Sequence, residues 1–121
     1  MGRYFVKSKI QKATVQQTDL HYEGSITVDP ALLEAADIAP YEQVHVLNLN
    51  NGARVVTYAI EGKRGSGMVC LNGAAARQAE VGDQVIILSY QMLEEVPAMG
   101  YTPCVIWVNA KNKVVKVKKG A

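Results

Sequence analysis

LEAADIAPYEQVHVL (residues 33–47) and AAARQAEVGDQVIIL (residues 74–88) run side by side at an offset of 41. Each opens on residues that suit a short helix, passes an acidic turn, and ends on Gln-Val and an apolar strand. Few positions are identical, so coincidence is one explanation. The other is a chain made of two related halves about a pseudo-twofold axis.

Strand signals dominate around these stretches. Phe5 to Val15 alternates imperfectly, and Ile26-Thr27-Val28 is short and β-branched. Val44–Leu47 and Ala53–Ile60 flank NLNNG, where Asn51-Gly52 signals a hairpin. Met68–Leu71, Val85–Tyr90, Cys104–Val108 and Val114–Val117 complete the set, with a second hairpin expected at NAKNK. Gly65-Ser66-Gly67, with Gly62, lacks the lysine-and-hydroxyl ending of a phosphate loop and reads as a hairpin turn. Helix is scarce: Asp29-Pro30 offers an N-cap and a first-turn proline for ALLEAAD, and GAAARQ suits one more short helix. Many short strands with turns between them imply a small barrel or a sandwich. The echo favours the barrel, and EVGDQV (80–85) resembles the Gly-Asp turn of double-psi β-barrels, which are built from two such halves. The expected fold is all-β, a double-psi β-barrel with short helices, in a single domain over residues 1–121.

Composition excludes several classes. At 121 residues, 49% hydrophobic and 20% charged, the chain can bury a core without staples. No apolar run nears the ~20 residues of a membrane span. Lys7 and Lys9 stand where a signal peptide needs its apolar core, so the expected location is cytoplasmic. Cys70 and Cys104 lie far apart in apolar runs and read as free thiols. The net charge of +2 hides an asymmetry: five of 13 basic residues fall within the last eleven positions, and residues 1–110 carry eight basic against eleven acidic groups. An acidic body with a basic tail argues against a nucleic-acid partner.

His21 and His45 are the two histidines, and neither has metal-ligand spacing to a cysteine or to the other, so no metal site is expected. On a strand, Arg54, Val56 and Tyr58 share one face and Val55, Thr57 and Ala59 the other. Arginine and tyrosine on one face suit an anion grip beside a proton donor, or simply an amphipathic edge strand. NGAAAR (72–77) has near-minimal side chains, which lets a ligand or a second backbone approach its N–H groups.

DLHYEGSITVDP (19–30) holds Gly24-Ser25, ordinarily a turn signal. It is also a bond that a backbone can break by itself. The serine hydroxyl attacks the preceding carbonyl to give an ester. Loss of the serine Cα proton then expels the glycine carboxylate, and the dehydroalanine hydrolyses with loss of ammonia to an N-terminal pyruvoyl group. Such a ketone captures an amine substrate and withdraws electrons from a developing carbanion, as pyridoxal phosphate does.

LHYEGSITVD, NNGARVVTYAI, RGSG, NGAAAR and VGDQVII, in this order and spacing, resemble the aspartate 1-decarboxylase family, pyruvoyl-dependent enzymes of the pantothenate pathway. The match spans roughly residues 5–90. The resemblance implies a homotetramer with active sites between subunits, acting on L-aspartate to give β-alanine and CO2. Ser25 would become the pyruvoyl cofactor, with no pyridoxal phosphate, cutting the chain after Gly24 into 1–24 and 25–121. Tyr58 matches the proton donor, and Thr57 a residue that aids self-cleavage and contacts substrate. Gly73, Ala74 and Ala75 match the backbone that cradles the substrate. Lys9 and Arg54 match the site cations, with Asn72 and Tyr22 nearby. Two positions depart: Gln11 stands where members often have histidine, and Leu47 where some have an aromatic residue. Whether a maturation factor is a partner stays open, as do two rivals, a DNA-binding regulator using the KNKVVKVKKG tail and a binding module in which Gly24-Ser25 is only a turn.

Overall fold

The computed structural model describes residues 1–120. Among them the chain forms β1 (Arg3–Thr14), β2 (Gln17–Asp19), β3 (Ser25–Val28), α1 (Pro30–Ala35), β4 (Gln43–Asn48), β5 (Arg54–Glu61), β6 (Val69–Asn72), a 3-10 helix (Gly73–Gln78), β7 (Gln84–Leu93), β8 (Cys104–Val108) and β9 (Val114–Lys118). The strand order is β2-β6-β3-β5-β4-β7-β1-β8-β9. The ladder does not close on itself, but only Val15 and Gln16 separate β1 from β2, so one run of chain reaches from β7 to the far edge. On the way Val15 N–H donates to Asp83 O (2.8 Å), and Gln16 N–H donates to Val69 O (2.9 Å). The result is all-β and barrel-like, around a core that includes Ile10, Val15, Ile26, Leu71 and Ile87, each buried. No helix among the described residues is long and apolar enough to cross a membrane.

The pairings come in matched sets. β3 pairs β6 and β4 pairs β7, both antiparallel. The antiparallel β1·β7 pair matches β5·β4, and the parallel β2·β6 pair matches β5·β3. A twofold axis that exchanges β1–β2 with β5, β3 with β6 and β4 with β7 carries every one of these pairs onto itself or another. The two short helices, six residues each, fall between exchanged strands. The echo at offset 41 is therefore the trace of the fold's own symmetry. The β8–β9 hairpin lies outside this scheme, with β8 parallel to β1.

Two expectations need correction. β2 was not foreseen, because three residues are too few to show an alternation. The loop through Gly62 and Gly67 is not a hairpin turn. β5 and β6 are not paired; they flank β3 on opposite sides, so the loop is a crossover. Its glycines do cradle an anion, and the anion is the chain's own Asp29, 1% exposed. Asp29 Oδ1 accepts from Ala31 N–H (2.9 Å), capping α1, and from Gly65 N–H (3.1 Å), while Oδ2 accepts from Gly67 N–H (2.9 Å). Glycine is obligatory at position 67: its φ is +70°, and a Cβ there would lie 2.3 Å from Lys111 O.

Burial pushes the Asp29 carboxyl up, but the N–H groups of Gly67, Ala31 and Gly65 and the charge of Lys113 outweigh it and hold it below its ordinary value. A depressed folded value means stability that is complete above the unfolded value of about 3.9 and drains as pH falls through the lower folded one. Asp29→Asn removes that linkage and sets an amide N–H2 against one of the loop's N–H donors, a loss of roughly 1–3 kcal/mol at neutral pH. Urea titrations from about pH 7 down to about pH 2 should show the deficit of the variant shrinking in the acid limb. A deficit constant across that range would detach Asp29 from acid unfolding.

Candidate active site

The pairing of β3 with β6 sets Ser25 opposite Asn72 and Thr27 opposite Cys70. Residues two apart on a strand share a face, so four polar side chains meet on one side of this two-strand ladder. Asn72 Nδ2 donates to Ser25 Oγ (2.9 Å) and to Thr27 Oγ1 (2.8 Å), and Cys70 Sγ donates to Asn72 Oδ1 (3.2 Å). Ser25 Oγ in turn donates to Glu23 O at 3.2 Å. Ser25 is 1% exposed and Asn72 2%, so this chain of bonds satisfies groups that water cannot reach. Burial pushes the Cys70 thiol up, with the charge of Asp19 adding to it, so Cys70 is a donor here and not a thiolate nucleophile.

The peptide before Ser25 is pressed against the start of the 3-10 helix. A Cβ on Gly73 would lie 2.8 Å from both Gly24 Cα and Gly24 N, and 2.9 Å from Tyr22 O. Gly73 also has φ +63°, so it is fixed by both space and conformation. At Gly24 itself a Cβ would meet nothing within 4 Å. The need for a minimal residue thus falls on Gly73, across from the Gly24–Ser25 bond, more than on Gly24.

β5 brings the phenol. The parallel register pairs Ile26 with Ala59, so Ser25 and Tyr58 are the residues just before that pair on the two strands. Ser25, Tyr58, Tyr22 and Tyr41 line one cavity of about 310 Å³, with Glu23 and Glu61 at its wall. Tyr41 stacks on Tyr58, ring centroids 6.2 Å apart at 24°.

The remaining expected residues stand elsewhere. Arg54 shares the face of Tyr58 as the alternation requires, but four residues of strand put it about 13 Å away. It is exposed, and its Nη1 lies 3.1 Å from His45 Nδ1; the guanidinium has only donors, so the imidazole nitrogen accepts. His45, half-buried, also meets the edge of Tyr90 at 4.9 Å. Lys9 is half-buried on β1, paired with Leu88 of β7, and β7 and β4 separate it from β5. One chain thus brings Gly24, Ser25, Tyr58, Asn72 and Gly73 together, with Arg54 further along the Tyr58 face and Lys9 on another strand; Thr57, half-buried, is paired with Val44 of β4. Ala75 is buried behind Gly73, and Ala74 is exposed. Gln11 faces Trp107 across the β1·β8 pair, and Leu47 is paired with Arg54.

Thr27, Cys70 and Tyr41 went unnoticed in the sequence. The first two were within reach of strand period alone, each two residues from a residue already singled out. Tyr41 carries no such signal, since a turn and not a strand presents it. Among the described residues no cluster of three or more His, Cys, Asp or Glu side chains could hold a metal ion.

The family model described as aspartate decarboxylase matches residues 1–115. Proteins named aspartate 1-decarboxylase are similar along nearly the whole chain. That of Thermoanaerobacter pseudethanolicus is 55% identical over 117 residues, covering 97% of this chain and 100% of the relative. That of Syntrophus aciditrophicus is 54% identical over 114 residues, 94% and 98% of the two chains. That of Moorella thermoacetica is 52% identical over 120 residues, 99% and 94%. Since the family's model spans nearly all of the sequence and its members match half of the residues, the chain belongs to the aspartate decarboxylase family.

Proposed function

We propose that the chain cleaves itself between Gly24 and Ser25 into 1–24 and 25–121, and that the product decarboxylates L-aspartate to β-alanine and CO2 for pantothenate and coenzyme A synthesis. The observation that carries this is a buried serine hydroxyl, held at 2.9 Å by Asn72 and facing Tyr58 across one cavity. A residue that served only as a turn would have no use for this arrangement, which counts against the binding-module alternative. Gly73 lets the Gly24 backbone pack directly against the start of the 3-10 helix, which fixes the peptide that precedes Ser25. A pyruvoyl group at position 25 supplies an electron-withdrawing ketone for the substrate amine and for the electrons released with CO2.

The chain's own residues do the rest. Donation from Asn72 Nδ2 orients the Oγ lone pairs and supports negative charge on that oxygen. Thr57, next to Tyr58 on β5, aids cleavage and contacts substrate. Tyr58 delivers the proton to carbon after CO2 leaves. The backbone of Gly73, Ala74 and Ala75 cradles the substrate. Lys9 and Arg54 bind carboxylate; because they lie off the Ser25 cavity of their own chain, they serve the site of a neighbouring subunit in a homotetramer. Arg54 takes the carboxylate that stays, since ion-pairing the one that leaves would oppose decarboxylation. Free Cys70 and Cys104 go with a cytoplasmic location.

Ser25→Ala removes the hydroxyl and should leave a folded oligomer of full-length mass that makes no β-alanine. Normal turnover by that uncleaved protein would sink the proposal. Arg54→Lys keeps the charge and loses the paired hydrogen bonds, typically about 1.5–3 kcal/mol to a charged partner. It should raise the Michaelis constant for aspartate with processing intact; an unchanged constant would transfer the grip to Lys9. Tyr58→Phe keeps the ring and deletes the acid, so mass spectrometry should find cleaved chains while β-alanine formation falls on the order of 10²–10⁴-fold. Wild-type turnover in cleaved Tyr58→Phe would remove Tyr58 from the proton step, and failure to cleave would assign it to maturation.

A further inference from the structure

We infer that Tyr41 is a positioning residue for Tyr58, held over that ring by a strained turn whose symmetry mate uses glycine. The inference rests on the reading of Tyr58 as proton donor.

Ala39-Pro40-Tyr41-Glu42 and Glu80-Val81-Gly82-Asp83 are the two turns that the pseudo-twofold axis exchanges, 41 residues apart. Their bonds correspond one by one. Glu42 N–H donates to Ala39 O (3.1 Å), as Asp83 N–H does to Glu80 O (3.0 Å). Tyr41 N–H donates to Ala59 O (2.7 Å), as Gly82 N–H does to Val15 O (2.8 Å). Glu42 Oε1 accepts from Ala39 N–H (3.0 Å), as Asp83 Oδ2 does from Glu80 N–H (2.9 Å). The third residue is left-handed in both, with φ +69° at Tyr41 and +96° at Gly82. A turn with proline second and a positive φ third ordinarily takes glycine or asparagine there, and a bulky residue at that φ is strained.

Neither space nor burial explains the tyrosine. A Cβ on Gly82 would meet nothing within 4 Å, so conformation alone selects glycine in that half. Tyr41 meets the same conformational demand, and the residue is 77% exposed, so the ring gains little from leaving water. What it does contact is Tyr58, stacked at 6.2 Å and 24°, inside the cavity that also holds Ser25. Strain kept at one position of a symmetric pair, beside reacting groups, marks a functional constraint. The stacked ring limits the side-chain torsions open to Tyr58 and keeps water off one face, so Tyr58 stays on the wall of the cavity it shares with Ser25. Tyr41 acts through Tyr58.

The test uses full-length, self-processed Tyr41→Gly, Tyr41→Asn and Tyr41→Phe, with cleavage read by intact mass, melting temperature, and kcat and KM for aspartate. Glycine and asparagine both tolerate the left-handed turn, so cleavage and melting temperature should hold while kcat drops about 10- to 100-fold, as misplacement of a reacting group does. KM should change little, and Tyr41→Phe, which restores the ring, should restore turnover. In a Tyr58→Phe background Tyr41→Gly should add no further loss. Wild-type kcat in Tyr41→Gly beside an inactive Tyr58→Phe would overturn the inference alone. So would an equal loss in both backgrounds, or a fall in melting temperature that tracks the loss of rate. Full activity in Tyr58→Phe by itself would overturn the proton-donor reading and this inference with it.

Discussion

The bond from Asn72 Nδ2 to Ser25 Oγ spans the β3·β6 pair, and much of the molecule serves to keep those two residues opposite each other. A slip of one residue would turn both side chains to the other face of the sheet. The register is therefore held from both sides, by Ile26 and Val28 in the core from β3 and by Val69 and Leu71 from β6. An exposed serine would need no such bracing. A buried one does, because each unpaired polar group there costs about 1–3 kcal/mol. The amide of Asn72 is fully used: two hydroxyls take its hydrogens and the Cys70 thiol donates to its oxygen. That leaves it one low-energy orientation.

A second chain of contacts braces the other end of β3. Asn112, 1% exposed in the β8–β9 turn, donates to Gly67 O and Thr14 O (2.8 Å each) and accepts from Thr14 N–H (2.8 Å). Gly67 N–H is then aimed at Asp29, whose carboxylate caps α1 directly after β3. The C-terminal hairpin, which lies outside the twofold scheme, thus locks the crossover loop and through it the strand that carries Ser25. Lys113 adds a bond to Gly65 O and a positive charge near the same carboxylate.

The local signals in the sequence were good guides. Asn51-Gly52 does turn β4 into β5, the NAKNK turn joins β8 to β9, and Asp29-Pro30 does start α1. Strand alternation put Arg54 and Tyr58 on one face. The strand rise also sets them about 13 Å apart along that face, which leaves Arg54 beyond the cavity that Ser25 and Tyr58 share. The crossover over β3 was misread as a hairpin. Glycine marks where a chain can bend, and only the long-range partners of the flanking strands say where it goes. The cluster around Ser25 required knowing that β3 meets β6 across more than forty residues, which the internal echo hints at and no motif states.

That same echo shows how a symmetric fold makes room for one reactive site. The axis that exchanges α1 with the 3-10 helix also exchanges the residues preceding them, Asp29 and Asn72. Both are buried polar side chains at the head of a short helix. Asp29 spends both oxygens on backbone N–H groups, which suits a carboxylate because it can only accept. Asn72 makes no side-chain cap bond at all and turns its amide across the ladder to Ser25 and Thr27. A carboxylate at position 72 could only accept from the two hydroxyls, so it would give Ser25 Oγ no donor, and its charge would oppose negative charge on that oxygen. The helix that follows Asn72 is 3-10, with poorer hydrogen-bond geometry than the capped α1. One half of the barrel keeps the cap and the stability that goes with it. The other releases the equivalent side chain from capping and uses its donors to hold a buried hydroxyl.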